Sequence, residues 1–267
     1  MSGAFEALSG VLKARSGLIL GPDKQYLLET RLAPMLRRES LRDLRALADR
    51  VLSAPNGPLE RELVEAMTTG ETLFFRDDKP FVHLRDVALP RLHAARAPGA
   101  PLRFWSAAAS SGQEAYSLAM LMADAPAALR RPVRILGTDL SREKIDRARA
   151  GLYNQFEVQR GLTPPMLAKH FTAQGTSWRI SDALRAVVEF RSFNLLDDLA
   201  PLGTFDVVFC RNVLIYFDAP TKTRVLDAVA RRLAPDGVLY LGGAESVMGL
   251  TDRLVAMPCG RGVYRPA

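Results

Sequence analysis

Along the first quarter of the chain, apolar residues return every three or four positions. FEALSGVLKARSGL, QYLLETRLAPMLRRE and LERELVEAMTTG each gather them on one helical face, and no alternating strand pattern lies between. The stretch from Phe5 to Met67 therefore predicts a small helical domain. GPD at Gly21–Asp23 can open a helix, with Asp23 a candidate cap, and SAPNGP at Ser53–Pro58 is a strong breaker. Pro34 either kinks the second helix or separates it from another one over 35–50.

After Arg76 the rhythm changes. LRFW, VRILGTD, VVEFRSF, FDVVFC and GVLYLGG are short β-rich runs, and helix-length segments such as GQEAYSLAMLMADA, SREKIDRARAG and PTKTRVLDAVARRLA separate several of them. Such alternation predicts an α/β fold, a parallel sheet covered on both faces by its crossover helices. At the end, DRLVAMPC and RGVYRP read as two strands joined by a tight Cys259–Gly260 turn, an antiparallel closing pair. An insertion between Leu152 and Val188 holds a small hairpin, FTAQGTSWRIS, around Gln174–Gly175; it is a docking lobe or inert decoration.

Composition narrows the class. The chain has 267 residues, 48% hydrophobic and 24% charged, enough for a sizeable core and unlike a disordered chain or a fibre. Net charge is +7, without a long block of one sign, so an acidic partner and an arginine-rich solvated surface are both open readings. Two distant cysteines, Cys210 and Cys259, give neither a disulfide framework nor zinc spacing, which fits a reducing cytoplasm. No apolar run is long enough to span a bilayer, so no integral membrane segment is expected.

The candidate chemistry lies in the loops beyond the carboxyl ends of the strands, where open α/β sheets bind ligands. FWSAAASSGQEAYSLAM, from Phe104 to Met120, has the strand-turn-helix form of a nucleotide site with a single glycine. Pyrophosphate demands glycines because the backbone must approach it closely. A cofactor without phosphates does not, which favours S-adenosylmethionine over NAD. Glu114 sits early in the following helix as a ligand or a cap, and Asp139 in GTDLS as a ribose acid or an N-cap, a role that Ser141 can also fill. Asn194 and Leu195 follow the third strand. Arg211, Asn212 and Tyr216 follow the fourth, where an arginine and a tyrosine could orient an incoming anion. Upstream, Thr72 and Arg76 in TTGETLFFR could reach a carboxylate.

Taken in order, TTGETLFFRD, WSAAASSGQEAYSLAMLMAD, GTDLSREKIDRARAGLY, FNLL and FCRNVLIYFD resemble the chemotaxis receptor methyltransferases of the CheR family, over almost the whole chain. The resemblance implies a Rossmann-like S-adenosylmethionine methyltransferase sheet with an antiparallel C-terminal hairpin, plus a small all-α N-terminal domain and a small β insertion. The domains would be a helical receptor-docking domain at 1–75 and a methyltransferase domain at 76–267, with the β lobe around 170–190.

The implied activity is methyl transfer from S-adenosylmethionine to glutamates on the cytoplasmic helical bundle of chemoreceptors, giving methyl esters and S-adenosylhomocysteine. Thr72, Arg76, Glu114, Asp139, Asn194, Leu195, Arg211 and Asn212 match cofactor positions. Arg76 would hold the methionine carboxylate, and Tyr216 stands close to the transferred methyl. Tyr216 and Arg211 are the candidate catalytic residues, and no metal is implied. Gly70 replaces an asparagine frequent in the family and should contribute backbone only. The short hairpin suggests docking without a C-terminal tethering peptide. A monomer with no nucleic-acid partner is expected. A catalytically silent regulator that binds cofactor or receptor is the alternative, and nucleic-acid methylation is disfavoured because RNVLIYF stands where an NPPY-type motif would be.

Overall fold

The computed structural model describes residues 2–258 and 260–267. Cys259, the first residue of the expected final turn, lies outside the described residues.

One unit comprises the chain up to Thr69 together with Tyr216–Thr221. Its helices are α1 (Ser2–Ser16), α2 (Gln25–Arg38), α3 (Leu44–Ser53) and α4 (Pro58–Met67). The 3–4 spacing read from the sequence becomes a core of Leu8, Leu12, Leu28, Leu32, Leu47 and Leu63. Each fully buried leucine contributes roughly 1.5–3 kcal/mol.

α2 runs unbroken through Pro34. Asp23 does not cap it: Asp23 belongs to the 3₁₀ turn Pro22–Lys24 ahead of α2, whose first residue has no side-chain cap. Asp43 does cap α3, accepting the Ala46 N–H at 2.8 Å. Segment 216–221 is tied in by the Ile19 N–H on the Tyr216 carbonyl (3.0 Å) and by Lys13 on Asp218 (2.8 Å).

The second unit comprises Gly70–Ile215 and Lys222–Ala267. Residues 70–75, grouped by sequence with the helical domain, belong to this unit. It opens with α5 (Lys79–His83) and α6 (Leu89–Ala95), joined by one π-helical turn. There follow β1 (Leu102–Ala107), α7 (Gln113–Ala123), β2 (Val133–Asp139) and α8 (Arg142–Ala150). The inserted lobe holds β3 (Leu152–Asn154), α9 (Gln155–Gln159), α10 (Pro164–His170), β4 (Phe171–Gln174), β5 (Ser177–Ile180) and α11 (Asp182–Arg185). The chain ends with β6 (Val188–Ser192), β7 (Phe205–Cys210), α12 (Ala219–Ala230), β8 (Leu233–Leu241), β9 (Leu254–Ala256) and β10 (Val263–Pro266).

The main sheet has the order β6-β2-β1-β7-β8-β10-β9. Its first five strands are parallel, and β10 runs antiparallel to both β8 and β9. The reversal of strand order between β1 and β7 is the topological switch point where such sheets bind ligands.

One expectation is corrected. Whereas the crossover from β7 to β8 is made by α12, the one from β6 to β7 has no α-helix, only the turn Ala200–Leu202. A cavity of about 710 Å³ remains there, lined by Arg103, Arg134, Leu136, Glu189 and Arg191 among others. The lobe is a three-stranded sheet, β3-β5-β4, rather than a bare hairpin. At three residues β3 is too short to carry an alternating pattern.

Candidate functional site

The turn after β1 uses positive φ at Ala108 (60°), Ser110 (50°) and Gly112 (94°). Only glycine suits the last position, since a Cβ there would also stand 2.9 Å from Ala148 and 3.1 Å from Phe190. Three N–H groups of this turn are taken up within the protein: Ala109 donates to the Thr138 carbonyl (2.8 Å), Ser110 to Asp139 Oδ2 (2.8 Å) and Gly112 to the Ala109 carbonyl (3.0 Å). A phosphate-binding loop instead aims such groups at its ligand.

Asp139, at the end of β2, also accepts the Ser141 N–H at 2.9 Å. Ser141, not Asp139, caps α8 by accepting the Lys144 N–H. The acid thus stands at the strand end braced by two backbone donors.

Glu114 is the second residue of α7 and makes no capping box. It accepts the Ser106 hydroxyl at 2.8 Å and Arg211 Nη1 at 3.1 Å, with its side chain 13% exposed. Burial pushes its carboxyl above the ordinary range, opposed by Arg211 and Ser106.

Arg211 departs from the sequence reading. Its side chain is 1% exposed, and its Nη2 donates to the Arg76 carbonyl (2.8 Å) and to Asp77 (2.7 Å). An incoming anion meets no open guanidinium there. Arg211 instead ties α7, the end of β7 and the Arg76–Asp77 turn together.

The segment before α5 is held by the lobe. Phe74 is fully buried, with its ring 5.0 Å from Tyr153 and 5.5 Å from Phe171, edge to face. Gly161, at φ 98°, approaches so closely that a Cβ would overlap the Phe74 carbonyl. The Phe75 N–H donates to Ser117 at 2.9 Å, and Phe75, Asp77 and Asp78 all have positive φ. Packing from several sides sustains this strained run, an arrangement common at functional sites.

Flanking Phe74, Thr72 and Arg76 are half-buried. Arg76 donates to the Glu71 carbonyl (3.1 Å) and has no carboxylate partner among the described residues. The Gly70 carbonyl accepts the Ser110 hydroxyl (2.7 Å), and a Cβ at Gly70 would stand 2.8 Å from Lys144 Cε.

On the loop after β6, Asn194 Oδ1 accepts the Leu196 N–H at 3.0 Å, while Leu195 is buried. After β7, Asn212 has φ 58° and donates its N–H to Glu245. Tyr216 ends the 3₁₀ turn Leu214–Tyr216 and belongs to the helical unit; its hydroxyl makes no hydrogen bond among the described residues.

The structure thus joins Glu114, Arg211 and the Arg76 backbone in one network, and Asp139, Ser110 and Gly70 in another. Sequence reasoning missed Ser106, Asp77 and Glu245. Ser106 alone had a local signal, a hydroxyl at a strand end eight residues before Glu114. No group of His, Cys, Asp and Glu among the described residues could hold a metal, and no helix among them is long and apolar enough to cross a membrane.

Comparison with known proteins gives the family. Residues 70–263 match the CheR methyltransferase, SAM binding domain, and residues 3–68 the CheR methyltransferase, all-alpha domain.

Chemotaxis protein methyltransferase Cher2 of Pseudomonas putida is 40% identical over 98% of this chain and 97% of its own. Chemotaxis protein methyltransferase 1 of Pseudomonas aeruginosa is 42% identical, again over 98% of this chain and 97% of its own. The chemotaxis protein methyltransferase of Vibrio parahaemolyticus is 40% identical over 97% and 94%. With both family domains matched in order and relatives aligned nearly end to end, this chain belongs to the CheR family of S-adenosylmethionine-dependent methyltransferases.

Proposed function

We propose that this protein methylates glutamate side chains on the cytoplasmic helical bundle of chemoreceptors, releasing S-adenosylhomocysteine. The observation that carries this reading is the near full-length similarity to chemotaxis protein methyltransferases, through both domains. The donor set is compatible with the cofactor. Arg76 has no carboxylate partner among the described residues and would take the methionine carboxylate. Glu114 would face the ammonium, Asp139 the ribose, and Asn194 and Leu195 the adenine side. Thr72 and Asn212 would complete the cradle, and Gly70 would add backbone only.

Bound S-adenosylmethionine supplies a methyl group on a sulfonium, which is its own leaving group. A glutamate acceptor ionises at about 4.3 in water, so it is an anion at neutral pH and needs no general base. The protein's task is alignment and removal of water, worth roughly 7–11 kcal/mol in favourable cases. The unpartnered Tyr216 hydroxyl is suited to hold one acceptor oxygen while the other attacks. Arg211 acts at one remove by fixing Glu114.

The helical domain would dock the receptor. Arg37 on α2 and Arg45 on α3 are exposed and have no ion-pair partner among the described residues, a surface suited to acidic helices. The short β4–β5 turn suits docking without a tethering peptide, and the protein would act as a cytoplasmic monomer.

The test incubates the protein with methyl-labelled S-adenosylmethionine and receptor-containing membranes. Label should appear on the receptor and leave as methanol in base. Label on nucleic acid, or base-stable label on the receptor, refutes the reading.

A further inference from the structure

Glu245, in the loop after β8, carries a buried carboxylate with no role in the proposed transfer. Its Oε1 accepts the N–H groups of Val213 (3.0 Å) and Leu214 (2.7 Å). Its Oε2 accepts those of Asn212 (2.9 Å) and Gly242 (2.6 Å). Three consecutive N–H groups converging on one anion form a backbone nest, and here the protein fills the nest with its own side chain.

The nest depends on Asn212 holding φ 58°. Gly242 is the other requirement, since a Cβ there would stand 2.7 Å from Glu245 Oε2 and 2.8 Å from Asn212 Nδ2. The Asn212 carboxamide therefore lies against Gly242, whose own N–H goes to the same carboxylate. No cation pairs with Glu245 among the described residues, so four backbone donors alone offset the cost of burying the charge. A neutral side chain could close an ordinary loop at less cost, which points to a site where loop geometry must be fixed closely.

We infer that Glu245 is a positioning residue for methyl transfer: it sets Asn212, and through Asn212 the cofactor. This rests on the proposed contact between Asn212 and the cofactor.

The test titrates S-adenosylhomocysteine by calorimetry into the full chain and into Glu245→Gln, Asn212→Gly and the double variant. Glutamine keeps the volume but has one carbonyl oxygen, so its amide meets N–H donors where an acceptor stood. Glycine keeps the positive φ and removes only the carboxamide.

Each single variant should weaken binding about tenfold, and the double should bind no worse than the weaker single. The KM for S-adenosylmethionine should rise in step while the KM for receptor stays put, a split that general loosening would not give. Wild-type affinity in Glu245→Gln beside a weakened Asn212→Gly overturns the inference, as do losses that multiply in the double variant. Wild-type affinity in Asn212→Gly instead removes the cofactor contact on which the inference stands. Should Glu245→Gln not fold, Gly242→Ala decides: its Cβ would crowd Glu245 Oε2 (2.7 Å) and Asn212 Nδ2 (2.8 Å) together, so weakened binding upholds the inference and unchanged binding defeats it.

Discussion

In the turn after β1 the N–H of Ser110 is held by Asp139, 29 positions along the chain on the neighbouring strand. In the turn after β7 the N–H groups of Asn212, Val213 and Leu214 are held by Glu245, which is 33 positions beyond the first of them. Both turns lie at the carboxyl edge of the sheet, and both receive a carboxylate from the protein itself. The acids differ in position. Asp139 is half-buried at a strand end; Glu245 is buried and accepts four backbone donors. Asp139 accepts a single N–H from its turn and a second from Ser141, whereas Glu245 accepts three consecutive ones and a fourth from Gly242.

The largest effect should follow removal of Arg211, which runs from the β7 turn to Glu114 at the start of α7. Arg211→Met should destabilise the fold by about 3 kcal/mol in urea titration, because Glu114 is left buried without its cation. It should also abolish detectable S-adenosylhomocysteine binding. Stability within about 0.5 kcal/mol of wild type would show that the two turns do not depend on each other.

Asp139→Asn tests the shared acid. The amide loses acceptor capacity towards both the backbone and the ribose, so affinity should fall at least tenfold, about 1.4 kcal/mol, while melting changes little because Ser141 still caps α8. A melting point that collapses along with affinity would make Asp139 as structural as Glu245.

Tyr216→Phe probes chemistry beyond the β7 turn. Turnover should drop about tenfold with S-adenosylhomocysteine affinity unchanged; an unchanged turnover removes Tyr216 from acceptor alignment.

The smallest effect concerns pH. Burial raises the Glu114 carboxyl, so the folded state holds that proton more tightly than the unfolded chain. The resulting stability is full below the ordinary carboxylate range and is lost as pH rises through the raised value. The stability advantage of wild type over Glu114→Gln should therefore be larger at pH 5 than at pH 8. A constant difference in urea titrations would mean that Glu114 titrates normally.

The strands, the parallel order and the antiparallel closing pair were legible because each is written locally, as a short β-rich run bounded by turn residues. Glu114 and Asp139 draw notice for the same local reason, one seven residues past the end of β1 and the other at the last position of β2. Arg211 read equally well as a surface charge, because its burial depends on Glu114 and Asp77, which lie 97 and 134 positions away. Glu245 sits in GGAESVMGL, a stretch with no periodicity, and its meaning comes from a turn on another strand. The missing helix between β6 and β7 was hidden in FNLLDDLAPLGT, whose length alone does not say that a crossover will be made by loop.

Gly161 carries a consequence for how the protein can be rebuilt. Because its bare Cα rests on the Phe74 carbonyl, and Tyr153 and Phe171 close around the Phe74 ring, the inserted lobe is not a detachable cassette. A chimera that exchanges this lobe for one of another shape also exchanges the packing around Phe74, which sits between Thr72 and Arg76. On the proposed function, a lobe swap therefore lowers S-adenosylhomocysteine affinity unless Tyr153, Gly161 and Phe171 travel with the graft.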